Sequence, residues 1–334
     1  MPRVERIKQI QDWLAAQFPA QTFTLAPASN DASFRRYFRV AFDDGASLIV
    51  MDAPPGREDV RPWLHAQQLF HAAGAHVPDV LAQDLEHGYL LLSDLGSTTF
   101  LAALDEQNAD ALYRAATDTL IDIQRASQPA VLPAYDRVLL KRELDLFPDW
   151  YIGKHVSIVF GDAERHALEA VFEKILAVNL GEPSVYVHRD YHSRNLMHTG
   201  TAPGVIDFQD AVYGPLSYDL VSLFKDAYVE WDEERTIDWL ARYWEKAKNA
   251  GLPVRADFGD FFRDYEWMGV QRHVKVLGIF ARLCHRDGKD GYLKDMPLVA
   301  KYLRATCTRY SELTPLLRLL DKLENRQVQT GYTF

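Results

Sequence analysis

The sequence predicts an α+β fold in two lobes: a five-stranded antiparallel sheet carrying one helix, then a mainly helical lobe. Three observations predict it. Period-two alternation and turn residues fill the stretch from 22 to 96. Helical apolar periods take over at 98 and run to about 325. A short β-rich island at 184–208 interrupts those helices. The lobe boundary then falls at Gly96, with 1–95 as the first lobe, leading helix included, and 96–334 as the second.

Each element has its own signal. Ile7, Ile10, Trp13 and Leu14 share one face of a helix over 5–17. Residues 22–26 alternate as a strand, and SNDAS at 29–33 is a turn-rich break. In FRRYFRVAF (34–42), Phe34, Arg36, Phe38 and Val40 fall on one side. Asp44-Gly45 is a hairpin tip, and SLIVM (47–51) is the return strand. A helix over 59–73 ends at Gly74, and 80–96 holds two strands around Glu86-His87-Gly88. Helices follow at 98–105, 108–126, 137–147 and 162–178, with Pro148 set to end or kink the third. After the island, helices from about 216 to 325 are broken near Asn249-Pro253 and Gly288-Gly291, and 326–334 reads as a tail.

Bulk properties narrow the function classes. The chain has 334 residues, 48% apolar and 25% charged, which suits a globular two-lobe protein. A net charge of −10 argues against a nucleic-acid partner, because phosphate backbones select basic surfaces. Cys284 and Cys307 lack metal-ligand spacing and fit a reducing cytoplasm. The first residues have charges every few positions and no apolar signal region, and no apolar run reaches the ~18 residues of a membrane span. The expectation is a cytoplasmic monomer acting on a small molecule, with no membrane partner.

The island carries the chemistry. Val185-Tyr186-Val187 runs into His188-Arg189-Asp190; Asn195 follows five residues after Asp190, and Asp207 twelve after Asn195, beyond Gly204-Val205-Ile206. Phosphoryl transfer to an alcohol explains this grouping. Its transition state gathers negative charge that a divalent cation offsets, and Mg²⁺ prefers oxygen ligands such as Asn195 and Asp207. A separate carboxylate, Asp190, is then free to orient the hydroxyl and accept its proton.

His188-x-Asp190-x-x-x-x-Asn195 followed by Ile206-Asp207-Phe208 resembles the catalytic loop and metal-binding Asp of the protein-kinase-like fold. More narrowly, HRDYHSRN, IDFQDA and GPLSYDLVSL together resemble the aminoglycoside phosphotransferase family. The resemblance covers nearly the whole chain. It implies ATP and Mg²⁺ as cofactors, and a helical Asp219 that braces the catalytic loop.

The resemblance also implies a loop over the ATP phosphates between the first two strands, here Asn30, Asp31, Ala32 and Ser33, and adenine against the backbone of Leu92, Ser93 and Asp94. A phosphate-holding lysine belongs on the third strand and its glutamate partner on the inserted helix. The strand reads Ser47-Leu48-Ile49-Val50-Met51-Asp52 and the helix Leu64-His65-Ala66-Gln67-Gln68, so both are missing. Either the protein is a regulatory pseudokinase that only binds nucleotide, or another cation substitutes. Arg36 is the candidate on the Phe34/Phe38 face, the alternative for it being a solvated edge position.

DASFRRYFRV, MDAPP and LLLSDLG narrow the resemblance to the anomeric sugar kinases of bacterial peptidoglycan recycling. Those enzymes phosphorylate the C1 hydroxyl of N-acetylmuramate and N-acetylglucosamine to the α-1-phosphate. The alternative acceptor is another alcohol, such as an aminoglycoside or choline. Glu143, on a helical face with Leu140 and Phe147, is a candidate for a sugar hydroxyl or acetamido N–H, or else pairs with Lys141 or Arg142. Trp150 and Tyr151 are stacking candidates that core packing explains better. Gln209, Asp210 and Tyr213 follow the metal Asp, while His192 and Arg194 lie inside the loop, Arg194 facing a carboxylate, a phosphate or solvent.

Overall fold

The computed structural model describes residues 3–28, 35–200 and 202–324, with the side chains of Arg3 and Val4 excepted. The expected phosphate loop at 29–33 and the tail at 326–334 lie outside the described residues.

The first lobe is a five-stranded antiparallel sheet in the order β1-β2-β3-β5-β4: β1 Phe23–Pro27, β2 Arg36–Phe42, β3 Ser47–Asp52, β4 Val80–Asp84 and β5 Tyr89–Ser93. Gly45 at φ 86 turns the β2–β3 hairpin, where an L side chain would be strained. Both faces of the sheet are covered. Helix α1 (Arg3–Gln17) lays Ile10 and Leu14 on Phe38, Val40, Val50, Tyr89 and Leu91. Helix α2 (Arg61–Ala72) packs Trp63 and Phe70 on the other side, with Met51, Leu90 and Leu92.

This corrects one expectation. The stripe Arg36/Phe38/Val40 faces α1, not the cleft. A strand buried on both faces has apolar residues on each, so alternation does not tell which face meets the cleft.

The second lobe begins with α3 (Phe100–Ala103), α4 (Ala109–Arg125) and α5 (Arg137–Leu144). A π-helical segment, Phe147–Val156, then starts with Pro148 in its first turn, so the third expected helix ends before the proline as the missing N–H requires. Helix α6 is Asp162–Asn179. The island is two small antiparallel pairs, β6 (Ser184–Val187) with β9 (Val212–Pro215), and β7 (Leu196–Met197) with β8 (Gly204–Val205). Then come α7 (Tyr218–Phe224), α8 (Glu233–Asn249), α9 (Phe258–Asp287), α10 (Met296–Arg309) and α11 (Thr314–Leu323). The 30-residue α9 is the axis of this lobe, with Met268, Val274 and Leu277 fully buried. Gly278 lets the chain cross it: a Cβ there would sit 2.5 Å from the Leu146 carbonyl carbon.

Candidate active site

β6 delivers the chain into the catalytic loop, and its pairing with β9 fixes the entry. The N–H groups of His188 and Arg189 donate to the two carboxylate oxygens of Asp219, at 2.7 and 3.0 Å, from the first turn of α7. Further along, the Ser193 N–H donates to Asp226 at 3.0 Å and its hydroxyl bonds the same oxygen. Two buried carboxylates therefore hold the loop, where Asp219 alone was expected. His188 is locked as well, its Nε2 donating to the Ile206 carbonyl at 2.9 Å and its Nδ1 accepting from the Asp190 N–H at 3.3 Å.

The hairpin of β7 and β8, with Leu196 opposite Val205, closes the eleven residues between Asn195 and Asp207. Asn195 Nδ2 donates to the Asp190 carbonyl at 3.0 Å and to Asp207 Oδ2 at 3.4 Å. Asp190, Asn195 and Asp207 are thus brought together as their order implied. Arg189 at φ 76 and Asp207 at φ 66 are both left-handed. Such residues cost ~1–3 kcal/mol each and persist only where their surroundings enforce them.

Around Asp190, burial works to raise the carboxyl pKa. The positive charges of Lys275, His192, Arg272 and Arg189 outweigh it and bring the value down to about 2. The carboxylate is held ionised. Behind it lies a buried ionic cluster. Glu143 Oε1 takes Arg189 Nη2 at 2.5 Å and Lys275 Nζ at 3.2 Å; Oε2 takes Gln271 Nε2 at 3.2 Å and the Tyr135 hydroxyl. Lys275 also donates to the Tyr218 hydroxyl at 2.8 Å.

That cluster revises the reading of Glu143. It contacts neither Lys141 nor Arg142, and all its acceptor positions are filled from within the protein, so it supports Arg189 and leaves nothing for a sugar. Arg36 is revised too. Its guanidinium bonds the buried Asp52, with Nε at 2.9 Å, and Arg6 of α1 takes the other oxygen at 2.6 Å. Among the residues of β2, the arginine on the face opposite α1 is Arg39, in register with Ile49, and it pairs bidentately with Asp94 at 2.6 and 3.1 Å. Asp94 also accepts from the Ser47 hydroxyl and the Gly96 N–H, so its side chain closes the end of β5. Leu92 is buried beside it, and the Ser93 N–H already donates to the Asp79 carbonyl.

Of the remaining candidates, Gln209 Nε2 donates to Asp207 Oδ1 at 2.9 Å, and Asp210 is exposed with its carbonyl taking Arg189 Nη1 at 3.3 Å. His192 lies edge-on to Tyr228 at 5.5 Å, and Arg194 stacks over the Tyr228 ring at 3.6 Å. Asn30, Asp31, Ala32 and Ser33 lie outside the described residues. Sequence reading missed Asp226, Lys275 and Arg272. Lys275 and Arg272 stand three residues apart on an otherwise apolar α9 face, which is the one signal that was available.

The donor set fits magnesium. Asn195 spends its N–H donors on Asp190 and Asp207, which leaves its amide oxygen beside an exposed carboxylate. Two oxygen ligands suffice for an ion that completes its shell with phosphates and water.

A model of the phosphotransferase enzyme family matches residues 24–258. The chain belongs to this family. As a phosphotransferase it is an enzyme with an alcohol group as acceptor. It is 47% identical to an N-acetylmuramate/N-acetylglucosamine kinase of Neisseria meningitidis serogroup B, over 99% of this chain and 100% of the relative. It is 48% identical to the kinase of the same name from Pseudomonas aeruginosa, over 95% and 97%. Among solved structures, a choline/ethanolamine kinase family protein from Mesorhizobium loti superposes with TM-score 0.64 at 14% identity, over 95% of this phosphotransferase and 99% of that chain. The ADP-bound aminoglycoside phosphotransferase APH(2'')-Ib gives 0.59 at 17%, over 88% and 96%. These two share its bilobal protein-kinase-like fold.

Proposed function

We propose that this phosphotransferase is an ATP- and Mg²⁺-dependent sugar kinase that phosphorylates the anomeric C1 hydroxyl of N-acetylmuramate and N-acetylglucosamine, yielding the α-1-phosphate in cell-wall recycling. The observation that carries it is identity near one half, along the full length of both chains, with a kinase named for these two sugars.

In this reading Asp190 accepts a hydrogen bond from the C1 hydroxyl. The hydroxyl oxygen bonds to the γ-phosphorus as the bond from that phosphorus to the β,γ-bridging oxygen breaks; Asp190 takes the proton and ADP leaves with the electron pair. A base held near pKa 2 takes that proton late, as suits a loose transition state with little early demand on the nucleophile. Asn195 and Asp207 would hold magnesium, which supplies charge to offset that on the transferred group. Asp219 and Asp226 fix the loop, and Arg189, tied to Glu143, keeps Asp190 in place. The enzyme works as a cytoplasmic monomer.

The absent strand-three lysine is the ground for a second reading, a pseudokinase that binds nucleotide only. Asp190, Asn195 and Asp207 at productive spacing oppose it, since binding alone needs no base. Phosphate transfer from ATP with Mg²⁺ to N-acetylmuramate, N-acetylglucosamine and kanamycin, with NMR assignment of the phosphorylated carbon, separates the readings. The expected products are the two sugar 1-phosphates, and Asp190→Asn loses ~10²-fold or more, as for removal of a general base. Phosphorylation of kanamycin alone would overturn the acceptor, and ATP binding without transfer would favour the pseudokinase.

A further inference from the structure

Arg272 is 4% exposed, yet among the described residues it has no hydrogen bond and no ion pair, and its Nε is buried without a partner. A buried charge in that state costs several kcal/mol unless something pairs with it. The neighbouring cations each have an ion pair: Lys275, one turn along α9, and Arg189, whose Nε is also without a partner, both hold Glu143.

Its position says what kind of partner is missing. Arg272 lies within electrostatic range of Asp190 and of Tyr228, without pairing to the base. Tyr228 packs towards Phe280 of α9, with rings 6.5 Å apart, and carries Arg194 over its face and His192 at its edge. His192 Nδ1 is also buried without a partner. This is the helical-lobe side of Asp190, whereas Asn195 and Asp207 mark the nucleotide side. An unpaired guanidinium and an unpaired imidazole nitrogen there call for an anionic group on the acceptor, a few ångströms from the reacting hydroxyl.

We propose that Arg272 receives the carboxylate of N-acetylmuramate and is the residue by which the site distinguishes that sugar from N-acetylglucosamine. This rests on the proposed function. The two sugars differ by the lactyl ether on C3, whose carboxylate is the only anionic group in either, and C3 is separated from C1 by one ring carbon. A planar guanidinium suits a carboxylate with two parallel donors. N-acetylglucosamine would leave Arg272 to water, so it is accepted with less binding energy.

The test measures kcat/KM for wild type, Arg272→Gln and Arg272→Lys on N-acetylmuramate, its methyl ester and N-acetylglucosamine. Wild type is expected to prefer the acid over the ester by ~10- to 100-fold, the range for a hydrogen bond to a charged group. Arg272→Gln should abolish that preference, costing the acid ~10-fold or more beyond the loss shared by the ester and N-acetylglucosamine, a shared loss that follows from removing a charge near Asp190. Arg272→Lys should keep part of it, which a merely structural arginine would not predict. If Arg272→Gln does not fold, the ester comparison in wild type and Arg272→Lys carries the test. Equal use of acid and ester by wild type, or equal loss on both sugars in a folded variant, would overturn the assignment and leave the sugar kinase standing. Turnover of neither sugar by wild type would overturn the function and the assignment with it.

Discussion

Asp219 shows how much depends on a single carboxylate. Burial pushes its pKa up to about 6, with the nearby Asp190 charge adding to this, against the lowering effect of His188 and of the two N–H bonds it accepts. Only the ionised form accepts from both His188 and Arg189, so protonation releases one end of the loop. Activity is therefore expected to fall as pH drops through about 6, at a pH where Asp190, near 2, is still ionised. A pH profile of kcat checks this, and Asp219→Asn should show a lower plateau without that limb. Glu143 gives a second expectation. Glu143→Ala strands Arg189 and Lys275 in the interior, which should cost ~3–5 kcal/mol in urea unfolding, the range for breaking a buried pair. At this scale the grouping of Asp190, Asn195 and Asp207 was legible because the chemistry proposed for them fixes both residue types and spacing. The roles of Glu143 and Arg36 were not. A carboxylate on an apolar stripe signals burial, but two of its four partners, Lys275 and Gln271, come from 128 residues or more along the chain. No local pattern reports them.

Among the elements, α9 sets the geometry of the second lobe, and Gly278 is where it admits the start of the π-helical segment. Gly278→Ala removes a glycine from a helix interior, which by propensity alone would stabilise by up to ~1 kcal/mol. Here the added methyl meets Leu146 backbone at 2.5 to 2.6 Å. Backbone does not yield as a side-chain tip does, so net destabilisation of ~1–3 kcal/mol is expected, as for overpacking, and thermal unfolding of the variant measures it. Element existence was legible wherever a period ran long enough: the sheet strands, α4, α6, α8. The turn to π-helix at Phe147 was not, since Pro148 announces only that an ordinary helix stops. β9 was missed for a related reason. Val212–Pro215 is four residues with a glycine and a proline, and it is a strand because β6 is beside it.

For the whole molecule, the question is what joins the lobes. The α1 face of the sheet forms a small separate cluster, while the other face is continuous with the core of the second lobe. Phe208, next to Asp207, is one link: its ring lies 5.1 Å from Trp63 and 5.7 Å from Phe70 of α2. Phe70 in turn sits 6.1 Å from His188. Phe208→Ala should cost ~3–5 kcal/mol, as for a fully buried aromatic. Calorimetry is expected to show the single transition of wild type splitting towards two as the lobes lose their shared packing. Two lobes and their order could be read from the sequence, because they follow from where one period replaces another. Which sheet face looks into the cleft could not, since α1 buries the opposite face equally well and only the assembled fold distinguishes the two.

The left-handed backbone at Asp207 has a consequence for anyone improving this protein. Glycine adopts φ 66 freely, and an aspartate does not. A screen that rewards heat resistance alone would therefore drift towards glycine at that position and discard the carboxylate proposed to hold magnesium in doing so. Robustness and turnover pull in opposite directions at one residue, so a search for hardier variants has to assay chemistry in every round.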